Sequence, residues 1–124
     1  MKVGLIYTST TPELIATVEG EIRAQLGDAA ELASYQDASI LADAREAGYV
    51  TGKTAAKLVA LYAQAVQDGA DALINLCSSV GEVADSAQDM ARYMGVPIVR
   101  VDEEMCREAV RLGKTIAVMA TLPT

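Results

Sequence analysis

The 124-residue chain contains no histidine, and this absence excludes several classes of site at once. A Ser-His-Asp or Cys-His arrangement, a His-ligated metal and the usual proton shuttle near neutral pH all need an imidazole. Acid–base chemistry in this protein therefore has to use Cys, Asp, Glu, Lys or Tyr. Phenylalanine and tryptophan are also missing, so the core is aliphatic and ring stacking falls to the five tyrosines.

Basic residues are few, because 10 Lys and Arg stand against 17 Asp and Glu for a formal charge of −7. They are scattered, whereas neutralising phosphates requires clusters, so we expect no nucleic-acid partner. No apolar run approaches the roughly 20 residues that span a bilayer, and the short apolar start does not suit a signal peptide. We therefore expect a cytoplasmic protein with no membrane partner.

Cysteine is scarce as well. Cys77 and Cys106 lack the C-x-x-C spacing of redox and zinc motifs. An intracellular chain of this kind keeps both as thiols, so we expect neither a disulfide nor a metal site. A chain of this length buries about two-thirds of its unfolded surface, which is enough for one stable domain without cross-links.

Short apolar runs alternate with helical patterns along the whole chain, which is typical of βαβ units around a parallel sheet. We predict strands at residues 3–7, 31–35, 71–76, 97–100 and 115–120. We predict helices from a Thr10 or Thr11 cap to Gly27, over 53–67, over 80–94, and from an Asp102 cap to residue 112. The predicted fold class is α/β, an open three-layer sandwich with a mainly parallel sheet of four to five strands, as in flavodoxin-like proteins.

The segment from residue 36 to residue 50 is longer than the usual βα connection of about 2–6 residues. It is either a lid or a short extra helix, and its charge content favours a solvated extra helix. The next residues, Gly48 to Thr54, come close to a nucleotide-binding loop, but one residue is missing between the glycines and no strand precedes them. Thr51 or Thr54 is instead the expected cap of the following helix.

Ligands of open α/β sheets bind beyond the carboxyl ends of the strands, and here Cys77 directly follows a predicted buried strand. A capping-box pattern from Ser79 to Glu82 indicates a helix start beside it. Amide N–H groups and the positive end of that helix would favour the thiolate, which can act as base or nucleophile. The alternative is a small buried hydrophobe, as most free cysteines are. Cys106 lies on one helical stripe with Val110 and is predicted to pack inside.

Four motifs carry a resemblance to a known family. They are the hydroxyl-rich loop from Thr8 to Thr10, the run DALINLCSS ending at Ser79, GVPIV at 95–99 and LGKTIAVMAT at 112–121. Together with the order of elements, they resemble the first half of the aspartate/glutamate/hydantoin racemase superfamily. The resemblance implies two facing lobes with one cysteine each and no cofactor. One thiolate removes the α-proton of an amino acid, and the opposing thiol reprotonates the other face.

Carried onto this chain, the resemblance implies that Cys77 is the catalytic cysteine of the first lobe. It also implies a set of residues that hold the carboxylate of a small acidic substrate, namely Thr8, Ser9, Thr10, Ser78, Ser79 and Thr121. Residues 1–112 then form the lobe, and residues 113–124 form a last strand and loop where a second lobe starts. Cys106 does not match the second cysteine. We therefore expect either a first-lobe fragment, which we favour, or a homo-oligomer that completes its cleft with another subunit.

Other functions stay open. A flavodoxin-like FMN carrier fits the length and the first loop, although Pro12 and Glu13 stand where such a loop prefers glycine and neutral residues. A phospho-receiver domain needs an Asp where Cys77 stands. A non-catalytic binding domain remains an alternative if Cys77 is inert. Within the superfamily, a maleate isomerase-like reaction or a decarboxylation would use the same cysteine.

Overall fold

The structure, a computed structural model, describes residues 1–122, which form four strands, six α-helices and one 3₁₀ turn. The strands are β1 (Lys2–Tyr7), β2 (Glu31–Gln36), β3 (Ala72–Asn75) and β4 (Ile98–Arg100). The helices are α1 (Pro12–Leu26), α2 (Ala38–Ala47), α3 (Gly52–Gln67), α4 (Gly81–Ser86), α5 (Gln88–Met94) and α6 (Glu103–Leu112), and the 3₁₀ turn spans Ser78–Val80. The four strands lie within one residue of their predicted bounds.

The strands form one parallel sheet in the order β2-β1-β3-β4, which confirms the predicted α/β class. In the register, Ile6 of β1 lies opposite Tyr35 of β2 on one side and Asn75 of β3 on the other. Since all four strands run in the same direction, their carboxyl ends meet at one edge of the sheet. Polar residues that follow these strands are therefore brought together.

Successive residues of β1 contribute to two separate apolar clusters, as the alternation of a strand requires. One face, with Val3, Leu5 and Tyr7, packs against apolar residues of α1. The opposite face, with Ile6, packs against buried residues of α3 such as Leu58 and Tyr62. The sheet thus lies between helices on both sides, which makes the three layers of the predicted sandwich.

Helix α1 begins and ends as the sequence predicts. The Thr11 hydroxyl accepts a hydrogen bond of 3.3 Å from the Leu14 N–H, and Pro12 occupies the first turn. Gly27 ends the helix at a φ of 73°, a conformation in which glycine has no Cβ to strain. Helix α3 has the predicted cap, because the Thr51 hydroxyl accepts from the Thr54 N–H at 3.1 Å.

The segment from residue 36 to residue 50 contains the extra helix, α2. Asp37 caps it by accepting a 2.9 Å hydrogen bond from the Ser39 N–H. The helix is less solvated than predicted, because Ile40 and Ala44 are fully buried. On its outer side, Lys57 of α3 lies 2.6 Å from the Asp43 carboxylate. Helix α2 is therefore packed against α3 as part of the body of the domain.

The predicted helix over residues 80–94 is divided into the 3₁₀ turn, α4 and α5. The division falls at Ala87, beside the Gln88 side chain. Its amide donates to the Ala84 carbonyl at 3.2 Å and to the Ile98 carbonyl at 2.7 Å. An uninterrupted helix would offer the Ala84 carbonyl to the backbone N–H of residue 88. Tying Gln88 to β4 therefore explains the break.

Beyond β4 the structure differs from two predictions. Residues 113–122 form neither a helix nor a strand, so the strand predicted at 115–120 is wrong; Ile116, Val118 and Met119 are exposed with no neighbouring strand to cover them. The end of the predicted loop, Pro123 and Thr124, lies outside the described residues. Helix α6 spans the predicted residues, but none of them is buried and Cys106 is exposed, so the prediction that Cys106 packs inside is also wrong.

Within residues 1–122, every helix is too short or too polar to cross a membrane.

Gly4 of β1 permits the close approach of α3 to the sheet. A Cβ at this position would lie 2.7 Å from Leu73 Cδ2 and 3.2 Å from Ala65 Cβ, and both of those side chains are fully buried. We expect Gly4→Ala to lower the free energy of unfolding by about 1–3 kcal/mol, measured by urea denaturation.

The matched control is Gly20→Ala in α1, where an added Cβ meets nothing within 4 Å. Because alanine is the better helix former, this variant should be more stable by about 0.5–1 kcal/mol. Equal effects of the two substitutions would contradict the close-approach argument.

Candidate functional site

The loops that begin at Thr8 and at Cys77 lie side by side at the carboxyl edge of the sheet. The Leu76 N–H donates to the Ile6 carbonyl at 3.0 Å, which continues the pairing of β1 and β3 to the last residues before these loops. The loop after β2 joins them, because the Asp37 N–H donates to the Tyr7 carbonyl at 3.1 Å. Thr121 is not brought to this edge by a strand, since it is exposed in the segment after α6.

Thr8 is the buried member of the first loop. Its side chain is 1% exposed, and its hydroxyl has no hydrogen-bond partner within the described part of the chain. Burying a hydroxyl without a partner costs about 1–3 kcal/mol. Ser9 is exposed, and Thr10 donates its hydroxyl to the Thr11 carbonyl at 3.2 Å. Of the three, Thr8 therefore has a free hydrogen-bonding group at the sheet edge.

Cys77 is half-buried and packs at the border of the apolar cluster between the sheet and α3. Its backbone carbonyl accepts a 2.9 Å hydrogen bond from the side-chain amide of Asn75, the last residue of β3. The Asn75 amide oxygen in turn accepts from the Tyr62 hydroxyl at 3.0 Å. Tyr62 and Asn75 are almost completely buried, so this pair of hydrogen bonds is shielded from water.

Tyr62 keeps its proton at neutral pH. Burial raises the pKa of Tyr62 above its usual value, and an ionised Cys77 nearby raises that pKa further. Its hydroxyl is therefore available as a donor throughout the range in which a cysteine ionises.

The backbone after Cys77 differs from the prediction. A 3₁₀ turn follows, and α4 starts at Gly81 with Val80 at the cap position and no side-chain capping hydrogen bond. Ser79, the predicted cap residue, lies inside the 3₁₀ turn and not at the cap position of α4. Because α4 has only six residues, the long helix that was expected to act on the Cys77 thiol is absent from this part of the structure.

The serines after Cys77 face a cavity. It has a volume of about 330 Å³ and is lined by residues of two loops and of α4, namely Gly48, Tyr49, Val50, Ser78, Ser79 and Glu82. The loop between α2 and α3 therefore forms the far wall of the space beside the Cys77 loop. Tyr49 in that loop is 66% exposed. Residues 36–50, for which a lid was one of the two alternatives, therefore contribute one wall of this cavity through their last three residues.

Arg100, the last residue of β4, carries a positive charge close to the start of α4, the helix that follows the Cys77 loop. Its guanidinium donates to both oxygens of Asp102, at 3.0 and 2.7 Å, and to Asp85 at 2.6 Å. It lies against Gly81, where a Cβ would be 2.6 Å away. These hydrogen bonds lower the pKa of Asp102 and raise the pKa of Arg100. Two carboxylates compensate the charge, so Arg100 is not free to bind an acidic ligand.

Tyr62, Asn75 and Arg100 were not predicted as site residues, and Asp102 was predicted only as the cap of α6, where its side chain makes no capping hydrogen bond. The signal for Asn75 was a polar residue at the end of the otherwise apolar strand ALIN. Tyr62 followed the apolar spacing of α3, so only its hydroxyl distinguished it from a core residue. Among residues 1–122, no group of three or more acidic or cysteine side chains is arranged to hold a metal ion.

A sequence profile of the family described as Asp/Glu/Hydantoin racemase matches residues 3–124 of the chain. No curated protein and no solved structure matches the chain.

The unpartnered hydroxyl of Thr8 can be tested without a ligand. Thr8→Val replaces it by a methyl group of similar size, and we expect the free energy of unfolding to rise by about 1 kcal/mol in urea denaturation. The control is Thr54→Val, because the equally buried Thr54 hydroxyl lies 2.9 Å from the Thr51 hydroxyl. That variant should lose about 1 kcal/mol. A loss of the same size in Thr8→Val would show that its hydroxyl has a partner.

The Arg100–Asp102 pair predicts a pH-dependent stability. Because the folded-state pKa of Asp102 is lowered, the ionised carboxylate stabilises the fold. This contribution is complete above the unfolded pKa of about 3.9 and is lost as the pH falls through the folded value. We expect Asp102→Asn to lower the free energy of unfolding by about 1.5–3 kcal/mol near neutral pH, and by progressively less below about pH 4.

Its control is Asp89→Asn, which removes an exposed ion pair with Arg92 and should cause no measurable loss. A difference between the parent and Asp102→Asn that stays constant down to about pH 2 would exclude the carboxylate as its source.

Proposed function

The chain belongs to the Asp/Glu/hydantoin racemase family, and on that premise we propose that it is the Cys77-bearing half of a cofactor-independent amino-acid racemase of the aspartate/glutamate type. The observation that carries the proposal is the position of Cys77, half-buried at the carboxyl end of β3 and beside the loop of Thr8. A half-buried thiol in that place can be reached by a small molecule, and the unpartnered Thr8 hydroxyl belongs to the neighbouring loop.

The Cys77 thiolate acts as the base in this proposal. Its sulfur accepts the proton on the α-carbon of the substrate and becomes a neutral thiol, and the electron pair of the C–H bond moves towards the substrate carboxylate. The added negative charge needs donors that are already oriented. The unpartnered hydroxyl of Thr8 fits this role, and Ser78 and Ser79 border the adjoining cavity. Ser9, Thr10 and Thr121 remain predicted contacts of the substrate.

Inversion of configuration requires a second proton donor on the opposite face of the α-carbon. A second thiol would give up its proton there and become the thiolate, so that the two cysteines exchange roles. Cys106 is not assigned this function, because it is exposed on α6 and lines a different cavity, with Arg100 and Arg107, from the one that Ser78 and Ser79 border. We therefore propose that a second cysteine-bearing lobe or subunit completes the cleft.

The test is exchange of the α-proton of aspartate and glutamate in heavy water, followed by proton NMR. In the assembly that supplies the second cysteine, Cys77→Ala should reduce the exchange rate to background because the base is removed. Cys106→Ala is the matched control and should leave the rate unchanged. Residues 1–124 alone should show little exchange.

Two results would contradict the proposal. Unchanged exchange in Cys77→Ala would remove this cysteine from the chemistry, and full turnover by the isolated monomer would remove the need for a second cysteine. An unsaturated cis-diacid assayed under the same conditions separates a racemase from a cis–trans isomerase that uses the same thiol.

A further inference from the structure

We propose that Tyr62 and Asn75 are positioning residues for Cys77, forming a buried two-step hydrogen-bond relay that fixes the loop carrying the thiol. This inference rests on the proposed function, because Cys77 needs to be positioned only if its thiol takes part in the reaction. The relay joins α3 to the backbone of the Cys77 loop through the last residue of β3.

The chemistry of the groups sets the direction of the relay. The Cys77 carbonyl can only accept, so the Asn75 side chain must turn its NH₂ group towards that carbonyl, at 2.9 Å. The Asn75 oxygen then faces the Tyr62 hydroxyl at 3.0 Å, and the hydroxyl must donate. Each hydrogen bond therefore orients the next, from the rigid helix outward to the loop.

The sheet does not need a polar side chain at position 75. The backbone of β3 is already paired there, because Asn75 lies in register with Ile6 and Arg100, and its carbonyl accepts from the Val101 N–H at 3.1 Å. Burying an amide among apolar residues is unfavourable unless it is hydrogen-bonded. What Asn75 adds to the paired strand is its contact with the Cys77 backbone.

The loop needs such a contact. Cys77 stands in front of the 3₁₀ turn in an extended conformation, and its own side chain makes no capping hydrogen bond. A base that removes a proton has to be held in a narrow range of positions, since misplacement by about 1 Å lowers the rate by about 100-fold. The relay supplies this constraint from inside the protein, through the backbone carbonyl of Cys77.

The first experiment measures thiol reactivity and needs no substrate. In the full chain, Tyr62→Phe removes the donor to Asn75, which frees the amide and loosens the loop. We expect alkylation of Cys77 by iodoacetamide to become about fivefold faster, the factor that one hydrogen bond of ordinary strength represents. Alkylation of the exposed Cys106 in the same molecules is the internal reference and should not change.

Tyr35→Phe is the matched control. It also removes a tyrosine hydroxyl from a hydrogen bond, to Asp68 at 3.1 Å, and this hydrogen bond does not involve Tyr62, Asn75 or Cys77. The Cys77 rate should stay at the parent value in this variant. The same acceleration in both variants, or none in Tyr62→Phe, would overturn the proposal.

The second experiment tests whether Tyr62 acts through Asn75. Asn75→Ala should accelerate alkylation of Cys77 at least as much as Tyr62→Phe, and the double variant should match Asn75→Ala alone because the two steps lie in series. Additive accelerations would show independent effects and exclude the relay. If Asn75→Ala does not fold, the alkylation rates of Cys77 in Tyr62→Phe and Tyr35→Phe still test the proposal.

The third measurement separates this inference from the proposed function. In the exchange assay, Tyr62→Phe should lower kcat and leave KM within twofold, because the relay positions the base and does not bind the substrate. A rise of KM by the same factor as the fall of kcat would contradict a positioning role. The alkylation results do not depend on whether the assembly exchanges any α-proton. Failure of the racemase proposal would therefore abolish exchange but leave the alkylation pattern, whereas failure of the relay would change the alkylation pattern.

Discussion

The parallel pairing of β1 with both β2 and β3 is the constraint on which the rest of the structure depends. It aligns three strand ends at one edge and so assembles Thr8, Asp37 and Cys77 from distant parts of the sequence. The pairing also requires that both faces of β1 be covered, since a strand with neighbours on each side is buried. Gly4 lets α3 lie close enough to cover one of them, and α3 carries Tyr62 to the underside of the Cys77 loop.

Two buried polar side chains at this edge, Asn75 and Thr8, differ in their hydrogen bonding. Asn75 is hydrogen-bonded through both the oxygen and the nitrogen of its amide, and such a pair of hydrogen bonds stiffens its surroundings. Thr8 has no partner among the described residues, although it is as deeply buried. A satisfied buried group supports the structure, whereas an unsatisfied one carries an energetic penalty. The sheet edge therefore has a hydrogen-bonded amide on the β3 side and a buried, unpartnered hydroxyl on the β1 side.

The sequence predicted the fold well where the pattern was local and repeated. The strands, the Thr11 and Thr51 caps and the Gly27 terminus each follow from a few neighbouring residues. The prediction of one helix over residues 80–94 was wrong because the Gln88 side chain bonds to Ile98, a contact between distant elements. The strand predicted at 115–120 has the right composition, but composition does not provide the neighbour with which a strand pairs.

The candidate site was also predicted only in part, because a local sequence pattern does not show which distant residues are in contact. Cys77 was selected because it directly follows a predicted strand, a position that depends only on where the strand ends, and Thr8 was selected because its loop resembles that of the family. Tyr62, Asn75 and Arg100 were not selected, since their roles arise from pairing partners that lie far apart in the chain. Cys106 shows the limit of helical spacing, which identified the apolar stripe of α6 but not whether anything covers it.

The two borders of the sheet are unequal. Along β2, six residues long, Glu31, Ser34 and Gln36 are polar and exposed, a composition that discourages a further strand. The opposite border, β4, has exposed valines, Val99 and Val101 just beyond it, but it is only three residues long, and a short edge offers few backbone groups for pairing. The two edges therefore resist unwanted association with other chains by different means, polarity on one side and shortness on the other.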